Sequence, residues 1–333
     1  MYHHLNDDVN TSIRFDRSAV TGAKSAPMNQ INSSSGNSVM DDLNQTQRER
    51  LAYIEFRLYF LGEVGRADLI KRFGVAPAGA SRDFALYKEL FPGNIEFNTV
   101  SKTYVIRESF KPAFEHIQER VLTALSQGFG DGVNPVAGAL IPCEMPMALI
   151  RPQIHVMAPV TRAIHLGKAI RLRYNSHTSG ASEREIVPFA IATDGLRWHA
   201  RAFDRKNQDF RDFAISRMEQ TAVLVDGNVG KHEMATNDIQ WNRIVELALV
   251  PHPDKKHPEI TRKDFGMSNG VLRLQLRAAM AGYVLRQWHV DCSPDHSIKD
   301  EAFRLWLSDP LALYGVGSAS FAPGYQKPQS STV

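Results

Sequence analysis

The chain has 333 residues, of which 43% are hydrophobic and 23% charged, a composition ordinary for a globular protein of two or three domains. No apolar run reaches about 18 residues and the N-terminus lacks an apolar core, so neither a membrane span nor a secretory signal is predicted. The net charge of +3 is too small to argue for nucleic-acid binding, which must come from local patches. Cys143 and Cys292 show neither metal-ligand spacing nor a disulfide framework, which predicts a protein of the reducing cytoplasm. No cofactor is predicted.

Residues 1 to 44 are predicted to form a disordered tail. The segment 28 to 42 is rich in Ser, Asn and Gly and poor in apolar residues, so burial cannot offset the entropy lost on ordering it. Its composition indicates no function.

Residues 45 to 108 predict a winged helix-turn-helix. A first helix with apolar residues at helical spacing is followed by two shorter helices, 67–73 and 77–90, separated by a glycine turn. Two strand-like segments, 95–97 and 103–106, then flank a polar tip as they do in a β-hairpin. Three helices followed by a hairpin form this motif.

The motif predicts binding to double-stranded DNA, with the third helix in the major groove. Ser81 and Arg82, near the start of that helix, would face base edges or phosphates. Two alternatives stay open: Arg82 pairs with a neighbouring carboxylate on a solvated face, or the helical core binds protein instead of DNA. The remaining candidates for DNA contact are Lys71, Arg72, Tyr87, Lys88 and Lys102.

Residues 109 to 165 predict a linker that is first helical (112–125) and then loop-like, because its second half is rich in Gly and Pro. Residues 166 to 228 predict a β domain. Five strand candidates at short spacing favour a small antiparallel barrel or a strongly bent sheet. Pro188 interrupts the second strand, which indicates an edge or a bulge.

The third and fourth of these strands form a hairpin, 195–218, that contains several basic side chains. Arginine presents a planar fork of donors, so such a face suits phosphate or another anion. The alternative is a solvated face on which arginine stems cover apolar surface. The basic residues are Arg197, His199, Arg201, Arg211 and Arg217.

Residues 229 to 325 predict a small α/β module. Segments 237–250 and 278–288 are expected to be helical, and segments 271–276 and 303–307 are expected to be strands. The three structured domains together predict an α+β multidomain fold.

The chain contains no motif of a known enzyme class: no phosphate-binding glycine loop, nucleophile elbow, zinc-protease helix or dinucleotide fingerprint. The aspartates of the basic hairpin flank turns, where Asp is common because it hydrogen-bonds the local backbone. His252 and His257 lie in a proline-containing loop without recognised ligand geometry, so no metal site is predicted. An enzyme is therefore not expected.

Segment 174–218 resembles a WYL domain. Of the tripeptide that names the family, only Trp198 is kept, followed here by His199 and Ala200. The form Arg-Trp-His-Ala-Arg-Ala-Phe is similar to a subgroup, the homodimeric regulators of bacterial anti-phage defence islands (BrxR/CapW type). The resemblance rests on the order of Tyr174, Gly180, Arg184, Pro188, the run 195–204 and the run 213–218.

This resemblance implies an Sm-like β-barrel after the winged helix, and a C-terminal extension that helps to form the dimer, partly by swapping. It also implies that the barrel face senses a ligand, a nucleotide or nucleic-acid fragment, while Trp198 belongs to the barrel core. The implied ligand contacts are Tyr174, Arg184, His199, Arg201, Arg211 and Arg217.

Two functions follow from these patterns. In the first, the protein is a homodimeric, sequence-specific DNA-binding repressor of a phage-defence operon that binds an inverted-repeat operator and responds to a ligand. In the second, the protein is an RNA- or single-strand-binding module in which the barrel binds and the N-terminal helices contact protein. Neither function involves a membrane.

Overall fold

The structure, a computed structural model, describes most of the chain from residue 43 onward, together with the backbone of a short N-terminal strand. The described ranges are 13–15, 43–129, 138–144, 150–224 and 226–327. The chain divides into two compact units, one formed by residues 24–147 and the other by residues 1–23 and 148–333. No helix in the described ranges is long and apolar enough to cross a membrane.

The first unit has the predicted arrangement of three helices and a hairpin. After strand β1 (Ile13–Phe15) of the other unit, its elements are α1 (Gln45–Leu61), β2 (Glu63–Val64), α2 (Arg66–Phe73), α3 (Pro77–Leu90), β3 (Ile95–Asn98) and β4 (Thr103–Ile106). Strand β4 lies between β2 and β3. Helix α1 ends at Gly62, whose φ of 82° is a left-handed conformation that glycine adopts without strain.

The core of this unit fixes α3 against the hairpin. Leu51, Ile54 and Leu58 recur every three or four residues along α1 and are fully buried, so they form one apolar face. Phe84 of α3 stacks on Tyr104 of β4, with 4.3 Å between ring centroids and an angle of 9°. Burial of each large apolar side chain contributes about 1.5–3 kcal/mol, so these contacts set the position of α3.

The connector after the hairpin is helical later than predicted. Helix α4 spans Gln118–Gln127, whereas the sequence predicts a helix from residue 112. Residues 111–116 are not helical, because their backbone donors serve a side chain. The N–H groups of Ala113 and Phe114 donate to the carboxylate of Glu55 at 3.0 and 2.9 Å.

The second unit begins with helix α5 (Ile154–Leu166) and the five predicted strands. They are β5 (Ile170–Ser176), β6 (Gly180–Thr193), β7 (Trp198–Asp204), β8 (Asp209–Ala214) and β9 (Met218–Val223). Their order in the sheet is β8-β7-β6-β5-β9. The register between β6 and β7 shifts at Pro188, the bulge that the proline predicts. Within the described strands β8 and β9 are not paired, so the strands form an open bent sheet and not a closed barrel.

The C-terminal part is an α/β module with one clear difference from prediction. Segment 237–250 is not a single helix: a four-residue helix, α6 (Ile239–Asn242), is followed by strand β10 (Ile244–Pro251). Val245, Leu247 and Leu249 are buried while Glu246 is exposed, which is the period of two of a strand. The helical prediction was wrong because apolar residues at 244, 245, 247 and 249 fit either period over so short a run.

The other elements of the module are α7 (Pro258–Asp264), β11 (Leu272–Arg277), α8 (Ala278–Gln287), β12 (Val290–Asp291) and β13 (Leu305–Leu307). The sheet order is β1-β11-β10-β13-β12. Strand β1 lies in the tail predicted to be disordered, and it pairs antiparallel with β11. For these three residues the prediction is wrong, because a sheet edge supplies the backbone partners that local composition lacks. The rest of the predicted tail up to residue 42 lies outside the described residues.

Candidate nucleic-acid interface and sensor cleft

Helix α3 presents an exposed face that carries two basic side chains, one acidic side chain and small neighbours. Arg82, Lys88 and Glu89 are exposed, and so are Ala78 and Ala85. Small side chains on the same face let a helix backbone approach another surface closely, so that one long side chain can reach beyond it. Arg82 is therefore placed as a reading residue would be, and its contact with DNA stays a prediction.

A further basic residue, which the sequence did not indicate, joins this face. Arg66, the first residue of α2, donates from Nη1 to the Oγ of Ser81 at 3.4 Å. The contact joins residues 15 positions apart, so only the tertiary packing of α2 on α3 reveals it. Ser81 itself is half-buried and lies beside two arginines at the start of α3.

Tyr87 does not belong to this face. Its side chain is fully buried, and its hydroxyl donates to Oε2 of Glu55 at 3.0 Å. Burial and the nearby negative charge of Glu55 raise the pKa of the Tyr87 phenol. The predicted DNA contact is therefore wrong: Tyr87 follows Phe84 by three residues and shares its inward face.

The other predicted DNA contacts are at the edges of the unit. Lys71 is exposed on α2. Arg72 lies over the ring of Phe129, 4.1 Å from its centroid, and burial lowers the pKa of its guanidinium. Lys102 is exposed at the tip of the hairpin, where its φ of 57° is left-handed. A phosphate contact by each of these cations stays a prediction.

The six predicted ligand residues do not share one surface. Arg211 of β8 is opposite Ala202 of β7, which lies in the same buried cluster as Tyr174 beneath α5. Neighbouring residues of a strand point to opposite faces. His199 and Arg201 therefore lie on the other face of the sheet, and a single ligand cannot contact all six residues.

Tyr174 and Arg184 are structural residues, contrary to the prediction. The Tyr174 hydroxyl accepts from the backbone N–H of Ala214 at 3.2 Å. Arg184 is buried and donates from Nη1 to Oδ2 of Asp204 at 3.1 Å. The prediction that Trp198 lies in the core is also wrong, because its side chain is 43% exposed. Trp198 is the first residue of β7 and does not lie beneath α5.

Arg201 is bound by two carboxylates. Its Nε and Nη2 donate to Asp238 at 2.7 and 3.1 Å, and its Nη1 donates to Asp212 at 3.2 Å. The Tyr283 hydroxyl donates to the second oxygen of Asp212, also at 3.2 Å. Burial by itself lowers the pKa of Arg201, but Asp238 and Asp212 raise it above its ordinary value. Arg201 thus joins the sheet to α6 and α8.

His199 contacts the C-terminal module as well. Its Nε2 lies 3.3 Å from Oδ2 of Asp194, and its ring centroid is 5.7 Å from that of Tyr283. Arg286 of α8 donates to the same Asp194 oxygen at 3.3 Å. His199 therefore belongs to the junction between the sheet and the module.

A cleft of about 620 Å³ lies at this junction. The sheet supplies Arg201 of β7 together with Phe210 and Arg211 of β8, and the module supplies Tyr283 and Phe321. Because β8 is the edge strand of the sheet, Arg211 lines the rim of the cleft although it lies on the opposite face from Arg201. Arg211 is exposed and lies 3.9 Å from its nearest carboxylate, while Phe321 is 41% exposed. Three aspartates also line the cleft, namely Asp209, Asp212 and Asp238. Of the six predicted ligand residues, the cleft contains two, and Arg217 lies outside it in the turn after β8.

The described residues contain no cluster of three His, Cys, Asp or Glu side chains suited to a metal ion. His252, one of the two histidines considered from the sequence, is buried with its Nε2 3.2 Å from Asp291.

The winged helix-turn-helix, whose third helix exposes Arg82 and Lys88, is followed in the chain by a bent sheet and a small α/β module. A cleft lies at the junction of the sheet and the module. This order of domains is that of a winged-helix transcription regulator. Three domain profiles match the chain: the BrxR transcriptional regulator winged helix-turn-helix domain (residues 46–127), the WYL domain (155–223) and the BrxR C-terminal dimerization domain (244–313). The chain belongs to this family of WYL-domain transcriptional regulators.

Curated relatives agree with the profiles. The chain is similar to the DNA-binding transcriptional repressor CapW of Stenotrophomonas maltophilia, with 32% identity over 74% of this chain and 84% of that protein. The same repressor of Pseudomonas aeruginosa is 31% identical over 74% and 83%, and that of Escherichia coli (strain KTE188) is 28% identical over 81% and 91%. A solved structure, PafBC of Arthrobacter aurescens, matches 82% of this chain and 45% of its own at 19% identity with a TM-score of 0.26, too low to support an argument.

Proposed function

We propose that the protein is a homodimeric DNA-binding repressor that reads an inverted-repeat operator through α3 and the hairpin. The observation that carries this proposal is that α3 exposes Arg82 and Lys88, in a chain whose relatives are named DNA-binding repressors. The resemblance to regulators of anti-phage defence islands further supports a defence operon as the target. The site of action is then the bacterial cytoplasm, on the nucleoid.

The geometry of the operator follows from the dimer. The C-terminal module matches a dimerization domain, and closed homodimers are two-fold symmetric. A two-fold dimer presents two copies of α3 to one duplex, so the half-sites are inverted and lie about one helical turn, or a multiple of it, apart.

A footprint on the promoter upstream of the protein's own gene tests this proposal. The expected result is protection of two inverted half-sites at constant salt, since phosphate contacts make affinity salt-dependent. Protection of a single, non-repeated site contradicts the dimeric reading. Binding to RNA or single-stranded DNA in preference to the duplex supports the binding-module alternative instead.

We further propose that an anionic effector, such as a nucleotide or a short oligonucleotide, enters the junction cleft. Arg211 is the exposed cation there, and the exposed ring of Phe321 offers a surface on which a base stacks. Asp212, the neighbour of Arg211 on β8, binds both Arg201 and the hydroxyl of Tyr283. A phosphate held by Arg211 at this edge strand would disturb Asp212, and through it the contact between the sheet and the module that matches a dimerization domain.

The effector proposal is tested with operator complexes of the full-length dimer. Nucleoside phosphates and short oligonucleotides are titrated into the complex, and DNA release is followed by fluorescence anisotropy. Arg211→Ala is expected to remove the response while operator affinity is kept. The matched control is Arg171→Ala, an exposed arginine on β5 that does not line the cleft. An equal loss in both variants, or release that persists in Arg211→Ala, contradicts the cleft as the effector site.

A further inference from the structure

The winged-helix unit contains a fully buried carboxylate, Glu55 of α1. Burial of an ionised carboxylate is costly unless hydrogen bonds satisfy it. Glu55 accepts from α3 through Tyr87 and from the segment 111–116, which we call the strap.

The strap supplies three donors to Glu55. The backbone N–H of Phe114 donates to Oε1 at 2.9 Å, and the N–H of Ala113 lies 3.0 Å from both oxygens. The Nε2 of His116 lies 3.1 Å from Oε1. The fourth donor is the Tyr87 hydroxyl, 3.0 Å from Oε2. One carboxylate therefore receives the strap on one side and α3 on the other.

Asn94 closes the network at the start of the strap. Its amide donates to the Tyr87 hydroxyl at 3.2 Å and to the carbonyl of Lys111 at 2.8 Å, and its Oδ1 accepts from the N–H of Lys111 at 2.9 Å. Tyr87 is thus shared by Glu55 and Asn94, the two residues that hold the strap. The strap also contacts α1 through an aromatic pair, in which the ring centroid of His116 lies 5.3 Å from that of Phe60.

The strap is the chain segment through which the winged helix continues to α4 and to everything after it. If it lifts, Glu55 loses three of the four donors named above and is left buried with an incomplete shell. A partly satisfied buried network is less stable than a complete one, so such networks tend to form or break as a unit. The helix that shares the network is α3, whose opposite face carries Arg82.

We propose that Glu55 and Tyr87 are positioning residues that couple the docking of the strap to the placement of α3. The inference rests on the proposed function, because α3 is taken to read DNA. Coupling is reciprocal: if docking of the strap favours the reading position of α3, operator binding must strengthen docking by the same factor.

The test is hydrogen exchange of the full-length dimer, measured with and without operator DNA. In the wild type, operator is expected to slow exchange at the amides of Ala113 and Phe114. Tyr87→Phe removes the link to α3 but leaves the backbone donors of the strap. This variant is expected to bind operator more weakly by about 5-fold or more, which is the lower end of typical coupling. Operator is expected not to change the exchange rates of its strap amides.

The matched control is Arg50→Lys, which disturbs the bidentate pair of Arg50 with Asp83 of α3 (2.7 and 3.0 Å) without touching the strap. It is expected to lower stability while operator still protects Ala113 and Phe114. An equal loss of this protection in both variants shows general loosening of the core and overturns the proposal. The proposal is also overturned if, in the wild type, operator does not change the exchange rates of the strap amides.

A measurement without DNA separates this proposal from the DNA-binding one. Glu55→Gln is expected to speed exchange in the strap and also in the second half of α3, around Tyr87. His116→Ala, which keeps the buried carboxylate, serves if Glu55→Gln does not fold, and the same two regions are expected to respond. Faster exchange in the strap alone overturns the coupling, whether or not the protein binds an operator.

Discussion

The guanidinium of Arg201 is held 2.7 Å from Oδ2 of Asp238, and this pair fastens β7 of the five-stranded sheet to α6, the first helix of the C-terminal module. Both residues are at least 94% buried, with exposed fractions of 6% and 1%. An arginine that looks from the sequence like a free anion contact is thus neutralised within the fold. An effector gains access to it only by displacing a carboxylate.

Asp238→Ala is predicted to destabilise the second unit strongly. Removal of one partner of a buried ion pair leaves an uncompensated charge and costs about 3–5 kcal/mol. The substitution also removes the N-cap acceptor of α6, which takes the N–H of Trp241 at 3.1 Å. Urea unfolding of the purified dimer measures the loss as a lower midpoint.

The control for Asp238→Ala is Arg171→Ala, which breaks an ion pair with Glu185 whose arginine side chain is 60% exposed. Exposed pairs contribute about 0–1 kcal/mol, so the unfolding midpoint is expected to change little. Equal midpoints for the two variants would mean that the buried pair does not hold the junction together.

Arg82→Ala is predicted to weaken operator binding by about 10-fold or more, because a bidentate contact to a base provides about 1–3 kcal/mol of discrimination. The effect should be largest on the cognate operator and small on unrelated DNA. Gel shifts at one fixed salt concentration provide the measurement.

Lys88→Ala serves as the comparison for Arg82→Ala, since Lys88 is exposed near the end of α3 and is expected to contact phosphate. Its loss should weaken binding to all sequences alike and reduce the salt slope by about 0.9. If Arg82→Ala instead changes affinity uniformly, it acts as a phosphate contact and not as a base reader.

Local patterns predicted the elements of the fold better than the partners of its side chains. The helices and hairpin of the winged helix and the five strands of the sheet follow from local spacing, whereas β10 of the final module was predicted to be helical because its apolar residues fit either period. Arg201 was assigned to ligand binding and Tyr87 to DNA contact because a sequence shows their chemistry but not their neighbours. Asp238 lies 37 residues from Arg201 and Glu55 lies 32 residues from Tyr87, distances at which no local pattern indicates a pair.

Gly282→Ala is predicted to destabilise the C-terminal module. A Cβ at this position of α8 would overlap the backbone carbonyl of Ser318, and the Gly282 N–H donates to the Ser318 hydroxyl at 3.0 Å. Backbone cannot yield as a flexible side chain does, so a cost of about 3 kcal/mol is expected, the upper end for overpacking. Thermal unfolding checks this value.

Gly79→Ala is the matched substitution for Gly282→Ala. Its Cβ would lie 3.8 Å from that of Val75, an ordinary contact, and alanine is favoured over glycine in a helix by up to about 1 kcal/mol. Unchanged or higher stability is expected. A Gly282→Ala variant as stable as Gly79→Ala would show that α8 does not pack tightly on the turn at Ser318.

Asp194→Asn is predicted to lower stability in a pH-dependent way. Burial by itself raises the pKa of Asp194, but the backbone N–H groups of Arg197 and Leu196 and the nearby His199 lower it below its ordinary value. A depressed folded-state pKa means that the ionised group stabilises the fold above the ordinary pKa of about 4. This stabilisation is lost as pH falls through the depressed value.

The difference in free energy of unfolding between the wild type and Asp194→Asn is therefore expected to be constant near neutral pH and to shrink below about pH 4. Urea unfolding from pH 7 to pH 3 measures it. Leu196→Ala, a substitution in the same turn without a titratable group, should give a difference that does not depend on pH. A difference for Asp194→Asn that stays constant down to pH 3, or grows, contradicts a stabilising ionised Asp194 at the junction.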